Sequence, residues 1–157
     1  MFPICQRYRM GVLTWSPLAF GFLTRRYRQG KPVDLAAGRP ALRPDRFDPA
    51  VPENAAKLQI VERLVELTDA CGCSLPQLAV AFAGAHPAVT AVIIGPRTVA
   101  QLDELLDGAT LALSDDVLDR VDEIAPPGVD HYDVGWRPPV LDDITARRRW
   151  PRDRAAA

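Results

Sequence analysis

Apolar and polar positions along the chain follow two different rhythms. Met10 to Ser16 (Met-Gly-Val-Leu-Thr-Trp-Ser) is rich in β-forming residues and is closed by Pro17, which predicts a strand. Val89 to Ile94 is a nearly unbroken β-branched run ended by Gly95, the pattern of a strand covered on both faces in a parallel sheet. Elsewhere the period lengthens to that of a helix. Leu58, Val61, Leu64, Val65 and Thr68 recur at helical spacing behind Asn54, read as a cap, with Gly72 where a helix end takes a left-handed residue. Ser74-Leu75-Pro76-Gln77 has the form of a capping box with proline in the first turn, opening a mostly apolar helix to about Gly84 that His86-Pro87 ends. Thr98-Val99-Ala100-Gln101 repeats the box ahead of Leu102, Leu105 and Leu106, which are expected to point inward. Ser114 caps a last helix, with Asp115 and Asp116 at its positive end and Val117, Leu118, Val121 and Ile124 toward the core, and Pro126-Pro127 halts it. Residues 19–56 carry Gly, Pro, Arg and Asp without a sustained period and predict a long loop, functional or disordered. Residues 128–157 read as a Pro/Arg-rich C-terminal tail.

Strand, long loop, two helices, strand, two helices is the order of an α/β protein. Two parallel apolar strands cannot cover their own faces or pair their outer edges. The pattern therefore predicts a single partial domain over 1–157, completed by another copy or by strands from a larger assembly. The length of 157 residues, with 48% hydrophobic and 25% charged, is that of an ordinary globular protein and not of a disordered or fibrous one. The apolar runs are a few residues long, against roughly 20 for a membrane span. Met1 to Arg7 shows no basic start followed by an apolar stretch. No membrane association and a cytoplasmic location are the expectations.

Charge changes this picture more than composition does. The net charge of −1 conceals segments of opposite sign: residues 1–57 hold ten Lys/Arg against four Asp/Glu, 58–143 four against fifteen, and 144–157 five against one. Such asymmetry suits self-association or an anion held on the basic part. Nucleic acid is not expected, because Arg25-Arg26-Tyr27-Arg28-Gln29-Gly30-Lys31 and the Arg147–Arg154 stretch are short and no recognition module accompanies them. Cys5, Cys71 and Cys73 are too few for a disulfide framework. Cys71-Gly72-Cys73 brings two thiols without a nearby histidine, so no metal is expected and the cysteines read as buried free thiols.

Two segments carry candidate chemistry. Ile94-Gly95-Pro96-Arg97-Thr98 joins a strand to a helix start, where backbone N–H groups and the helix dipole favour an anion, and Arg97 offers a planar fork of donors suited to phosphate. The same residues also serve a purely structural reading, in which Thr98 and Gln101 cap their own helix and Arg97 is a solvated charge. Trp15 to Leu23 follows the other strand, in the position from which barrel loops build ligand sites. There too Trp15, Phe20 and Phe22 can be core aromatics and Ser16 the start of a turn.

Taken together, Cys5-Gln6-Arg7-Tyr8, Met10-Gly11-Val12, Trp15-Ser16-Pro17-Leu18, Leu23-Thr24, Gln77-Leu78-Ala79, His86-Pro87-Ala88-Val89-Thr90, Ile93-Ile94-Gly95-Pro96-Arg97-Thr98, Gln101-Leu102 and Leu113-Ser114-Asp115 resemble the carboxy-terminal half of the aldo/keto reductase family. The tail motifs Pro126-Pro127-Gly128, Gly135-Trp136 and Arg147-Arg148-Arg149 resemble bacterial members. The resemblance implies the C-terminal portion of a (β/α)8 TIM barrel, with Met10–Ser16 and Val89–Ile94 as strands 7 and 8. It is not a complete barrel, since eight units need about 250 residues. It implies NADP(H) as cofactor: Ser16, Pro17 and Leu18 at the pyrophosphate with Gly21 and Leu23 nearby, Ile94, Gly95 and Pro96 in the facing turn, Arg97 at the 2′-phosphate, and Thr98 and Gln101 toward the adenosine. Leu105 stands where the family often has asparagine, and Arg9 and Arg25 where it usually has glycine. If the backbone there is left-handed, each costs about 1–2 kcal/mol. The family's catalytic Asp, Tyr, Lys and His belong to the first half of the barrel. Tyr8, Tyr27, Tyr132, Lys31, Lys57, His86 and His131 match them by type only. The expectation is the cofactor-binding half of an oxidoreductase that reduces aldehydes and ketones, inactive alone, with carbonyl substrate met only in the complete barrel. The alternative is a non-catalytic nicotinamide-binding or regulatory module that associates with another chain.

Overall fold

The computed structural model describes residues 1–127, so the tail motifs from Gly128 onward, Tyr132, His131 and the Arg147–Arg154 stretch lie outside the described residues. The elements in chain order are α1 (Phe2–Arg7), β1 (Leu13–Trp15), α2 (Gly38–Leu42), α3 (Pro52–Cys71), α4 (Leu75–Gly84), β2 (Ala91–Ile93), α5 (Val99–Thr110) and α6 (Asp115–Ile124). β1 and β2 pair in parallel, Leu13 opposite Ala91, Thr14 opposite Val92 and Trp15 opposite Ile93. The pairing across a long crossover is the one the sequence pattern requires. The strands are shorter than their apolar runs, and β2 is not covered on both faces. Leu13, Trp15 and Ile93 are 61%, 73% and 52% exposed. Alternation puts these side chains on one face, while α4 covers the other, where Gly84 lies against Val92. Among the described residues the first face stays exposed.

The helices show how local chemistry sets their ends. Ser74 and Gln77 close a complete capping box at α4, Ser114 accepts from the Val117 amide at α6, and Gly72 ends α3 at φ 69°. Asn54 is not a cap. Pro52, whose ring presets the first-turn φ and has no N–H to satisfy, starts α3 behind Val51. Asn54 is instead buried in the first turn, and its amide donates to the carbonyls of Asp45 and Asp48 at 2.9 and 2.8 Å. α4 closes at Gly84, just before His86. Of the three leucines on α5 Leu105 alone is buried, at 4% exposure, while Leu102 and Leu106 are exposed. The reason lies in the crossing: α5 seats on α4 through Gly108, where an added Cβ would stand 2.8 Å from the Gln77 Cα. α5 therefore turns the face that carries Leu105 and Gly108 toward α4, and Leu102 and Leu106 lie off that face.

Residues 19–56 are structured rather than loose. They hold a 3₁₀ stretch at Ala19–Thr24, α2, a second 3₁₀ turn at Pro44–Arg46 and the start of α3. Phe22 stacks on Phe47 at 4.8 Å, Tyr27 tilts against Phe47 at 4.9 Å, and all three join the core formed by Val61, Leu75 and their neighbours on α3, α4 and α6. Phe22 and its partners are thus core aromatics, whereas Trp15 is not. Among the cysteines, Cys5 is buried and Cys73 half-buried, but Cys71 is exposed and all three are free. The reading of three buried thiols fails at Cys71, because the helix end it occupies points to solvent. Among the described residues no helix is long and apolar enough to cross a membrane.

Candidate functional site

Parallel pairing places the carboxyl ends of β1 and β2 side by side, so the segments leaving them meet. Between them lies a cleft of about 820 Å³, within the size range of small-molecule sites. Ser16, Pro17, Leu18 and Gly21 form one wall; Ile94, Gly95, Pro96, Arg97 and Gln101 form the other. Nine of the eleven residues singled out from sequence therefore come together. Leu23 does not: it packs against the core. Thr98 does not line the cleft either, because its hydroxyl is turned to its own helix and accepts the Gln101 amide at 3.2 Å.

The second wall is organised within five residues. Gln101 Oε1 accepts the Arg97 amide at 2.9 Å, so the reciprocal bond of the cap reaches one residue beyond Thr98. This cap takes up the Arg97 and Gln101 amides, and the anion-binding capacity of the turn rests on the Arg97 side chain and the remaining first-turn amides. Arg97 is exposed and makes no ion pair among the described residues. Leu105 closes the base of the cleft as a buried apolar group.

The first wall is organised from far away. Ser16, Ala19, Phe20 and Gly21 all have positive φ (55°, 46°, 59° and 102°). For the non-glycine residues each costs about 1–2 kcal/mol. Amides turn inward to hold this coil, Ala19 to the Ser16 carbonyl at 3.0 Å and Gly21 to the Leu18 carbonyl at 2.8 Å. The Phe20 ring is flanked by the guanidinium groups of Arg46 at 4.6 Å and Arg39 at 5.7 Å. Arg9 and Arg25 are left-handed as well, at φ 53° and 61°, so the strain anticipated for those positions is present. Arg25 is tied to Asp69 on α3. Arg28 donates to Glu62 from two nitrogens, Nε at 2.7 Å and Nη2, and the Gln29 amide adds a bond to Glu62 at 2.8 Å. The Arg28 hydrogen bonds, aided by the Gln29 amide, hold the Glu62 carboxyl down to about 2 against the cost of partial burial. The same pairing raises the Arg28 guanidinium. Two of the basic residues that could have faced a nucleic acid are therefore neutralised in place.

Sequence reasoning missed Arg26 and Arg39, which line the cleft together with Thr24, Tyr27 and Glu104. Among the described residues the charged lining is Arg26, Arg39 and Arg97 against Glu104, an excess of positive charge suited to a polyanion. The cluster of basic residues was visible in the sequence, but its aim into the cleft depends on the fold of 19–47. Of the residues matched by type to the family's catalytic groups, Lys57 and His86 have structural partners. Lys57 donates to Asn54 at 2.8 Å beside the Phe22 ring, and His86 Nδ1 accepts the Ala88 amide at 3.0 Å beside the Phe2 ring.

A parallel βα pair with an anion-favouring cleft at its carboxyl ends is the site architecture of β/α barrels. The model of the aldo/keto reductase family matches residues 1–126, and the chain belongs to that family. It is 34% identical over 128 residues to a protein of Bacillus subtilis (strain 168) described as uncharacterized oxidoreductase YrpG, covering 80% of this chain and 36% of that one. It is also 29% and 30% identical over 132 residues to proteins of Arabidopsis thaliana and Oryza sativa subsp. japonica, each described as a probable voltage-gated potassium channel subunit beta. Those matches cover 78% of this chain and 37% of each relative. The chain thus spans a little over a third of the length of these relatives. The family implies a TIM-barrel fold and typical use of a nicotinamide cofactor; the described residues build a small helix and strand domain, not a complete barrel.

Proposed function

We propose that this chain is the cofactor-holding, C-terminal part of an NADP(H)-dependent aldo/keto reductase, with β1 and β2 as strands 7 and 8. One observation carries the reading: both strand-end segments, from β1 and from β2, converge on one cleft with three arginines and one carboxylate. The residues present fit a dinucleotide. The Ser16–Leu18 coil and Gly21 allow close approach of a pyrophosphate, and Arg26 and Arg39 line the same cleft. Arg97, free of ion pairs among the described residues, is placed for a 2′-phosphate. Gln101 and Leu105 leave an adenine end with one polar group and an apolar floor. When bound, the cofactor supplies the hydride for reduction of a carbonyl. This chain's part is to bind and orient it. The proton donor and the carbonyl substrate site come from the other barrel strands, so the chain by itself is inactive. The exposed face of Leu13, Trp15 and Ile93 is the surface those strands cover.

Calorimetric titration with NADPH and with NADH tests this. Arg97→Ala should weaken NADPH by about 10- to 100-fold, the range of a charge-assisted phosphate contact, and change NADH by less than about twofold. Equal losses for both cofactors would remove Arg97 from that role. A second reading, a regulatory module that holds nicotinamide and acts on another chain, is favoured by the similarity to the two plant proteins described as probable potassium channel beta subunits. The two readings part when the chain is mixed with the strands it lacks: carbonyl turnover supports the first, and binding without turnover the second.

A further inference from the structure

The two cysteines that end α3 form a chemical unit apart from the cleft. Cys71 is the last residue of the helix and exposed, Gly72 caps it at φ 69° and ψ 27°, and Cys73 follows half-buried against the core. The Cys73 amide returns to the Thr68 carbonyl at 3.1 Å, which fixes the corner. Gly72 is near the mirror image of the helical conformation. A helical residue holds its two neighbours about 5.4 Å apart, by the helix radius and rise, and the mirror conformation gives the same separation. That distance falls inside the Cα separation a disulfide requires, about 4.4–6.8 Å. No atom lies within 4 Å of the space beside Gly72, so the turn can adjust. The two sulfurs sense each other: burial first, and then Cys71, push the Cys73 thiol up.

We propose that Cys71 and Cys73 are a thiol–disulfide exchange site that closes a reversible Cys71–Cys73 disulfide by reaction with a small-molecule disulfide of the oxidised glutathione class. The exposed Cys71 thiolate attacks one sulfur of that reagent, whose S–S bond breaks and releases the first small thiol. Cys73, deprotonated to solvent, then attacks the Cys71 sulfur and displaces the second. Two protein thiols lose two electrons and two protons, and the small disulfide is reduced to two thiols. Exposure assigns the first attack to Cys71, and burial with the higher thiol affinity for its proton makes Cys73 the resolving group.

The reduced chain, incubated with oxidised glutathione at about pH 8, near the ordinary thiol range, then acid-quenched and digested, should yield a peptide lighter by two hydrogens spanning both cysteines, with Cys5 unmodified. Cys73→Ser should accumulate a stable glutathione adduct on Cys71. Cys71→Ser should lower adduct formation at Cys73 by at least about tenfold, since the remaining thiol is shielded. A lasting adduct on Cys71 in the unaltered chain, or no reaction at either cysteine while circular dichroism shows the helices intact, overturns the proposal.

Discussion

The two walls of the cleft are built on opposite principles. The turn after β2 is fixed by its own neighbours: Thr98, Gln101 and Arg97 complete one another's hydrogen bonds within five residues. The segment after β1 is fixed by partners 33 to 44 positions away, Glu62 and Asp69 on α3, and by the burial of Phe22 and Phe47. The short turn has no strained residue, whereas the long segment carries left-handed Ser16, Ala19, Phe20 and Arg25. Backbone strain persists only where the surroundings over-determine it, and here α3 provides that constraint. A ligand held between the walls thus meets one that exists as soon as α5 forms and one that exists only when the whole helical core does.

Removing the centre of the distant anchorage should have the largest effect. Phe47→Ala, at a residue 2% exposed and stacked on Phe22, should cost about 3–5 kcal/mol in chemical denaturation and abolish binding in the cleft. Gly108→Ala tests the seat of the other wall. Its methyl would enter the Gln77 backbone, so a loss of about 1–3 kcal/mol is expected, with α5 and Arg97 displaced. Glu62→Gln removes the charge that Arg28 grips and should cost about 1–2 kcal/mol. The sign of its pH dependence follows from the depressed carboxyl: the contribution is full above about 4.5, is lost as pH falls toward about 2, and should be missing from the acid unfolding curve of the variant. Thr98→Ala, a purely local change, should be the smallest, about 1 kcal/mol. An acid transition unaltered by Glu62→Gln would show that the long segment is not held from α3.

The same contrast explains what could be read in advance. The caps at Ser74, Thr98 and Ser114 and the Gly72 helix end were legible because each depends on residues a few positions apart, and the parallel order of the strands because strand and helix patterns alternate along the chain. The anchors of 19–56 were not, since nothing near Arg28 in sequence announces Glu62. Asn54 was misread as a cap because the helix already starts at Pro52, two residues earlier, behind Val51 and without a side-chain cap. Leu102 and Leu106 have the spacing of a buried stripe, but periodicity does not show that the close approach at Gly108 turns the Leu105–Gly108 face, not theirs, toward α4. Strand burial failed for a different reason: apolar runs describe the sheet a sequence is suited to, and two strands expose what a closed barrel would cover. Of the site, the residues next to the strands were evident, whereas Arg26 and Arg39 depended on the folded course of the long segment.

The central claim is that both walls hold one nicotinamide dinucleotide. Amide hydrogen exchange of the folded chain with and without saturating NADPH tests it most directly. The account predicts slower exchange in residues 16–28 and in 94–101 together, with α6 unchanged. Protection confined to one wall, or absent from both while NADPH is present in excess, would contradict it.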